Sequence, residues 1–249
     1  MTVKKYFFLT ALPRCGNTLL AVLINQHKNI KVTANSLLPE IFNSLFLLKK
    51  DEKFLNFPDH KSLENVVRSV FDSYYSHWDC DYVIDRSSWG QEFNLNIINT
   101  LFNKNKFIIL KRPMKEILNS FASICKEDNR SKYLENLLNK NTVLTNNIES
   151  IKNLMSSDEN KIIINYKDLV ENTNDTIQKI FDFLCIDETP LEYKLQQLNI
   201  NNVLYEDKQC NIDDMHLIHE DGIQLRKESN LLNKDMLNKC KELDNYIWS

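Results

Sequence analysis

The chain has 249 residues, a formal net charge of −3 and a hydrophobic content of 43%, which predicts one globular domain over residues 1–249 with a sizeable core. Its near balance of 31 basic and 34 acidic residues gives no reason to expect nucleic acid or a membrane surface as a partner. Six cysteines without CxxC spacing favour a reduced, cytoplasmic chain over a disulfide framework or a zinc site. The sequence contains no run of ~18 apolar residues, so no membrane span is expected.

The first elements predicted along the chain are a strand, a polar turn and a helix. An apolar run occupies Tyr6–Leu12, residues 13–18 read PRCGNT, and an apolar helical pattern begins at Leu19. Such a turn directs backbone N–H groups and the positive end of the helix at one point, which suits a phosphate or a sulfate. Arg14 would add a fork of donors and Thr18 a hydroxyl. An ordinary strand–loop–helix joint explains this stretch alone equally well.

Strand-like and helix-like segments alternate along most of the remaining chain. Apolar runs predict further strands over residues 30–32, 82–85, 106–110 and 162–165. Helical periodicity predicts helices over residues 17–26, 37–49, 62–78, 92–102, 114–125, 132–155, 175–184 and 234–247. A loop or flap is expected over residues 51–61. This alternation predicts parallel βαβ units and a three-layer α/β/α sandwich with a central parallel sheet.

Glycine and arginine are both scarce, with three glycines and only six arginines among the 31 basic residues. Turns are therefore expected to use asparagine, which tolerates left-handed backbone geometry. Arg14, Arg86 and Arg112 each follow a predicted strand. Because ligands of open α/β sheets bind beyond the carboxyl ends of the strands, these arginines are expected to converge on one anion site.

The segment PRCGNTLL resembles the phosphosulfate-binding turn of sulfotransferases that use PAPS (3′-phosphoadenosine 5′-phosphosulfate). The positions that match the family pattern are Pro13, Arg14, Gly16, Thr18 and Leu19. Cys15 and Asn17 replace residues that are commonly serine and threonine there. The resemblance implies a P-loop-like turn in which these residues bind the 5′-phosphosulfate of PAPS, with PAPS as co-substrate and without a metal.

Later segments resemble the same family in the same order. LKRPMKEILNS resembles the 3′-phosphate motif, an arginine with a serine eight positions later, which Arg112 and Ser120 match. The segment INYKDL resembles a strand–helix junction whose tyrosine, here Tyr166, lies near the adenine. HEDGIQLRKESN resembles a basic stretch that closes over the nucleotide, with Arg226 and Lys227 as candidates. An ordinary strand-end aromatic and a solvated surface pair are the alternatives for the last two segments.

The segment DRSSWG resembles the site of sulfuryl transfer, with a spacing closest to the tyrosylprotein-sulfotransferase-like branch. Arg86 stands where that branch has a lysine, so Arg14 and Arg86 are the predicted catalytic cations. Sulfuryl transfer needs in-line placement and charge stabilisation more than covalent chemistry. Asn35 and Ser88 replace the glutamate and the histidine that two branches use as base, and neither residue is a base near neutral pH. Glu40, about one turn further along, is therefore the predicted base.

Other carboxylates and aromatic side chains could also contribute to the acceptor side. Asp85 adjoins Arg86, although strand alternation is expected to direct it to the opposite face of the sheet. His60 lies in the expected flap. The helices predicted near residues 37–48 and 63–78 are expected to shape an acceptor pocket. The aromatic residues that could line this pocket are Phe42, Phe46, Trp78 and Trp89.

Three functions fit the sequence. The first is a sulfotransferase that moves a sulfuryl group from PAPS to a hydroxyl or amine, and its acceptor is a sugar, a lipid-linked glycan, a small metabolite or a protein side chain. The second is a non-catalytic PAP- or PAPS-binding module, which the missing base would explain. The third is a P-loop kinase, which the absence of the GxxxxGK[ST] lysine disfavours.

Overall fold

A five-stranded parallel sheet forms the centre of the fold, as the alternation of segments predicts. The computed structural model describes residues 4–126, 129–187, 189–192, 195–205, 218, 223–225 and 230–249. The strands are β1 (Lys5–Ala11), β2 (Ile30–Val32), β3 (Tyr82–Arg86), β4 (Phe107–Lys111) and β5 (Lys161–Asn165). Their order across the sheet is β2-β3-β1-β4-β5.

Helices connect the strands and follow the last of them. The helices before β4 are α1 (Asn17–Ile24), α2 (Leu38–Leu47), α3 (Glu52–Asn56), α4 (His60–Tyr74) and α5 (Glu92–Leu101), with a 3₁₀ turn at Leu48–Lys50. The later helices are α6 (Met114–Ile124), α7 (Arg130–Leu137), α8 (Val143–Ser156), α9 (Tyr166–Glu171), α10 (Thr173–Leu184) and α11 (Lys234–Trp248). A short hairpin, β6 (Asn199–Ile200) and β7 (Val203–Leu204), lies between the last two helices.

The helices cover both faces of the sheet, which gives the predicted three-layer sandwich. The connection from β1 to β2 moves one way along the sheet, and the connection from β3 to β4 moves the other way. Because parallel crossovers are right-handed, α1 and α5 lie on opposite faces. On the α5 side, the fully buried rings of Phe8 and Trp89 pack at 5.3 Å between centroids. On the α1 side, His27 packs on Phe181 of α10 at 5.5 Å.

The strand order brings three loops to one edge of the sheet. β1 is paired with β3 on one side and with β4 on the other, all parallel. In the register, Leu9 is opposite Arg86 and Ala11 is opposite Leu110. The chain therefore leaves β1, β3 and β4 at neighbouring points. Open α/β sheets bind ligands in such a crevice, where the connections from adjacent strands run to opposite faces.

Two predictions of local structure are wrong. Residues 51–61 contain α3 and the start of α4 rather than a loop, because the side chains of Asp51 and Asp59 accept hydrogen bonds from backbone N–H groups and cap the two helices. The helix predicted over residues 132–155 is divided into α7 and α8. The break has left-handed Asn141, with a φ of 65°, followed by Thr142, whose capping box starts α8.

Asparagine occupies left-handed turn positions, as the scarcity of glycine predicts. Among the described residues with left-handed backbone, Asn141, Asn201 and Asn202 are three of five that are not glycine. The last two form the two-residue turn between β6 and β7, with φ values of 51° and 65°. A tight hairpin of this kind needs positive φ at both turn positions. No helix of the described residues is long and apolar enough to span a membrane.

Candidate functional site

The loop after β1 has the backbone geometry of an anion-binding turn. Arg14 and Gly16 have left-handed backbone, with φ values of 66° and 96°. The amide of Asn17 donates to the carbonyl oxygen of Leu12 at 3.0 Å and closes the loop. Asn17, which replaces the family's usual threonine, therefore has a structural contact inside the turn. α1 begins at Asn17, and its N-cap Gly16 makes no side-chain cap hydrogen bond to the first N–H groups of the helix.

The other matching positions of this turn differ in exposure. Pro13, at the start of the turn, and Thr18 and Leu19, in the first turn of α1, are half-buried. Cys15 is fully buried, and its thiol donates to the carbonyl oxygen of Leu110 at 3.2 Å. Burial raises the pKa of the Cys15 thiol to about 12. Cys15 therefore fills the core beneath the turn, and only its backbone is available to a ligand.

The aromatic ring of Tyr166 lies directly against the turn. Tyr166 is the first residue of α9 and is 8% exposed. A Cβ atom added to Gly16 would lie 2.6 Å from Cδ2 of this ring. Glycine is therefore required at position 16 both by its positive φ and by the ring beside it.

Arg112 joins the end of β4 to the turn. Its Nη1 donates to the carbonyl oxygen of Arg14 at 2.6 Å, and its Nε donates to Glu116 Oε2 at 2.9 Å. The guanidinium carbon lies 4.1 Å from the centroid of the Tyr166 ring, which is the geometry of a cation–π contact. Glu116 was not anticipated from the sequence, although its spacing of four from Arg112 on the following helix is the signal for such a pair.

Ser120, which the sequence pairs with Arg112, makes a hydrogen bond with Arg14. Nε of Arg14 donates to Ser120 Oγ at 3.0 Å. The structure therefore places Arg14, Arg112, Ser120 and Tyr166 in one cluster, which three separate sequence segments supply. Arg226 and Lys227, the predicted basic residues of the tail, lie outside the described residues.

Arg86 lies at the end of β3, on the other side of the turn. Its backbone N–H donates to Thr33 Oγ1 at 2.8 Å, its guanidinium donates to the carbonyl oxygen of Ala34, and it is hydrogen-bonded to the side chain of Tyr205. Burial lowers the pKa of Arg86 from its ordinary value. Because β3 and β4 lie on either side of β1, Arg86 and Arg112, which follow or end these strands, flank the turn after β1.

The predicted alternation of β3 is confirmed at Asp85, which is fully buried. Its carboxylate accepts hydrogen bonds from Ser36 Oγ at 2.8 Å, from Trp89 Nε1 at 2.8 Å and from the Tyr75 hydroxyl. Burial is the largest influence on Asp85 and raises its pKa to about 6 from the ordinary 3.8. The carboxylate thus organises the packing of α2 and α4 instead of facing Arg86.

Asn35 and Ser88, which replace the two catalytic bases of the family, each make a hydrogen bond within the protein. Nδ2 of Asn35 donates to the Tyr205 hydroxyl at 2.9 Å. The carbonyl oxygen of Ser88 accepts from Asn94 Nδ2 at 2.9 Å. Glu40 is exposed in the first turn of α2. Tyr205 was missed by sequence reasoning because it belongs to no motif and follows a hairpin of two-residue strands.

A cavity of about 460 Å³ lies between α2, α4 and α5. Its apolar wall includes Phe42, Phe46, Leu63, Val67, Phe93 and Ile97, and His60 lies at its edge. The lining includes Phe42 and Phe46 but neither Trp78 nor Trp89, which is fully buried in the core. Glu40 precedes Phe42 by two residues, about 200° around the helix, so it lies on the opposite face of α2.

The described residues contain no group of three or more His, Cys, Asp or Glu side chains that could hold a metal ion.

Comparisons with known proteins identify one matching family and several similar solved structures. The sulfotransferase family matches residues 7–190 of the chain. The sulfotransferase domain of the Synechococcus PCC 7002 olefin synthase is 20% identical, with a TM-score of 0.52 and 76% of each chain covered. The sulfotransferase domain from the curacin biosynthetic pathway is 21% identical, with a TM-score of 0.49 and 76% of each chain covered. Mouse sulfotransferase SULT7A1, solved in complex with PAP, is 15% identical, with a TM-score of 0.47 and 76% of this chain and 62% of the mouse chain covered. No curated protein matches the sequence.

Substituting Gly16→Ala should destabilise the protein by about 1–3 kcal/mol, because the new Cβ meets Tyr166 and alanine disfavours this φ. The free energy of unfolding in urea measures the loss. In a Tyr166→Ala background the ring is absent, so Gly16→Ala should cost less and only the backbone strain should remain. Equal costs in the two backgrounds would contradict the contact between Gly16 and the ring.

The ionisation of Asp85 should make stability depend on pH. Because folding raises the pKa of Asp85 to about 6 from 3.8, the folded chain binds this proton more tightly than the unfolded chain. The stabilisation is present below pH 3.8 and is lost as the pH rises through about 6. The unfolding free energy of the wild type relative to Asp85→Asn should fall across that range and then level off. A difference independent of pH would show that Asp85 is not perturbed.

Proposed function

Because the chain belongs to the sulfotransferase family, we propose that it moves a sulfuryl group from PAPS to a hydroxyl or amine acceptor and releases PAP. The observation that carries this proposal is the hydrogen bond from Arg112 to the carbonyl oxygen of Arg14 at 2.6 Å. It ties the motif expected to bind the 3′-phosphate to the turn expected to bind the phosphosulfate. Two anion sites next to each other suit a nucleotide that carries both groups.

The nucleotide would be held by side chains that are already ordered by the protein. Arg112 and Ser120 would bind the 3′-phosphate, with Arg14 bonded to Ser120 at 3.0 Å beside them. Tyr166, stacked on Arg112, would offer its ring near the adenine. Glu116 and the carbonyl oxygen of Arg14 bond Nε and Nη1 of Arg112 and so fix the plane of the guanidinium that would meet the anion.

Transfer would proceed at the junction of the turn with β3. The acceptor oxygen or nitrogen forms a bond to sulfur while the bond from sulfur to the 5′-phosphate oxygen breaks, and the acceptor loses one proton. The N–H groups at the start of α1 and the charge of Arg86 would stabilise the sulfuryl oxygens and the leaving oxygen. Arg14 would contribute charge from the same turn. Their effect depends on position, since transfer of this kind needs alignment more than covalent help from the protein.

The proton of the acceptor is proposed to go to Glu40. This exposed carboxylate lies in the first turn of the helix that follows Asn35. The cavity lies on the other face of α2, so an acceptor that meets Glu40 approaches outside that cavity. The proposed acceptor is a sugar, a lipid-linked glycan, a small metabolite or a protein side chain. The proposal also includes a reaction without a metal and a cytoplasmic location.

A non-catalytic nucleotide-binding module is the second candidate. Asn35 occupies the position of a catalytic glutamate, and its amide is used in a hydrogen bond to Tyr205 at 2.9 Å. Such a module would bind PAP or PAPS through the same turn and the same arginines without transferring the sulfuryl group.

PAP should stabilise the protein. At a PAP concentration about 100 times Kd, the midpoint of thermal unfolding should rise by about 5–10 °C. Arg112→Lys keeps one charge but loses the fork, so its affinity for PAP should fall at least about tenfold. Ser120→Ala should weaken binding less and should leave folding unchanged, because only one hydroxyl is removed.

The matched control is Arg130→Ala, which removes an exposed arginine at the start of α7. It should bind PAP as the wild type does. A wild-type protein that responds neither to PAP nor to PAPS would contradict the proposed function and the binding module together.

Glu40→Gln should abolish most of the transfer, by about a hundredfold or more, without changing PAP affinity. Release of PAP from PAPS with a mixed panel of hydroxyl and amine acceptors measures the transfer. Glu52→Gln, an exposed glutamate in the first turn of α3, is the control and should keep full activity. Full transfer by Glu40→Gln would assign the base elsewhere, and binding without any transfer by the wild type would favour the module.

A further inference from the structure

Tyr205 reaches the transfer site although no sequence motif contains it. It follows β7, and the turn of Asn201 and Asn202 directs the chain back toward the sheet. Its backbone N–H donates to the carbonyl oxygen of Leu198 at 2.9 Å, and its carbonyl oxygen accepts from Gln197 Nε2 at 3.0 Å. The main chain of Tyr205 is therefore held at both its N–H and its carbonyl by the segment that precedes β6.

The hydroxyl of Tyr205 connects two elements of the sheet edge. It accepts a hydrogen bond from Asn35 Nδ2 at 2.9 Å, in the segment between β2 and α2. It is also hydrogen-bonded to Arg86 at the end of β3. Asn35 and Arg86 are the two positions where the sequence places the missing base and the transfer cation.

These contacts restrict the side chain of Arg86. Its guanidinium donates to the carbonyl oxygen of Ala34, and the Tyr205 side chain provides a further contact. An arginine side chain has many rotamers, and contacts to its planar fork fix its orientation. Ala34 and Tyr205 together therefore hold the fork in one plane.

The chemistry of these contacts preserves the charge of Arg86. The amide of Asn35, the carbonyl of Ala34 and the phenol of Tyr205 are neutral groups. A carboxylate in their place would orient the guanidinium but would also neutralise it, which weakens its hold on an anion. Neutral contacts orient the cation and leave its charge for the ligand.

We propose that Tyr205 is a positioning residue that orients Arg86 toward the sulfuryl group of PAPS. This inference rests on the proposed function, because it assumes that the site binds the nucleotide. It assigns the orientation of Arg86 to a residue that follows a hairpin outside the matching motifs. Asn35, which replaces the glutamate base, then has a role as the hydrogen-bond donor to Tyr205.

Tyr205→Phe removes only the hydroxyl and keeps the ring in place. Calorimetric titration without an acceptor should show about a tenfold weaker affinity for PAPS and an unchanged affinity for PAP, because only PAPS carries the sulfuryl group. Tyr246→Phe is the control, since it removes an exposed tyrosine hydroxyl that donates to Glu149 at 2.9 Å on a distant helix. It should leave both affinities unchanged.

Combining Tyr205→Phe with Arg86→Ala tests whether Tyr205 acts through the arginine. Once Arg86 is absent, loss of the hydroxyl should change the affinity for PAPS no further. Equal losses of PAP and PAPS affinity in Tyr205→Phe would indicate general damage to the site. No change in either affinity would show that Tyr205 does not position Arg86. Either result overturns the inference. Failure of the wild type to bind PAP would instead refute the proposed function on which the inference rests.

Discussion

The hydrogen bond between Arg112 and the carbonyl oxygen of Arg14 is the contact on which the candidate site depends. β1 and β4 are neighbours in the sheet, but the connections that follow them run to opposite faces, so the two loops need side-chain contacts to join them. The bond at 2.6 Å joins them. The ring of Tyr166 packs on the Arg112 guanidinium, 4.1 Å from its carbon to the ring centroid, and also against Gly16. Tyr166 therefore contacts both loops. A desolvated arginine makes such a bond strong, because water competes less for its donors.

Charge is distributed unevenly around this contact. Arg14, Arg86 and Arg112 surround one turn, and Glu116 is hydrogen-bonded to Arg112. The nearest carboxylate in sequence, Asp85, is turned into the core, where three donors hold it and burial raises its pKa. An anion can therefore approach the arginines without meeting that carboxylate. The same alternation of β3 that buries Asp85 exposes Arg86 to the site.

Much of this arrangement could be predicted before any coordinates, and the rest had clear reasons to be missed. Strand ends followed by arginine are local patterns, and the parallel sheet makes them converge. The bond between Arg14 and Ser120 crosses 106 positions, so spacing along the chain could not distinguish it from the expected link to Arg112. Residues 51–61 look like a loop, yet Asp51 and Asp59 cap helices there. Tyr205 follows strands of two residues, too short to give any periodicity.

The sequence by itself determined the class of fold, which residues form the turn after β1, and the types of residue at the sheet edge. These follow from short-range rules, since the alternation of strands and helices, the polar turn after β1 and the strand-end arginines are local patterns of consecutive residues. The tertiary structure decided which arginine contacts which group, that Asp85 belongs to the core, and that Tyr205 meets Asn35 and Arg86. Those contacts join distant segments, and only the packing of the whole chain determines the directions of their side chains.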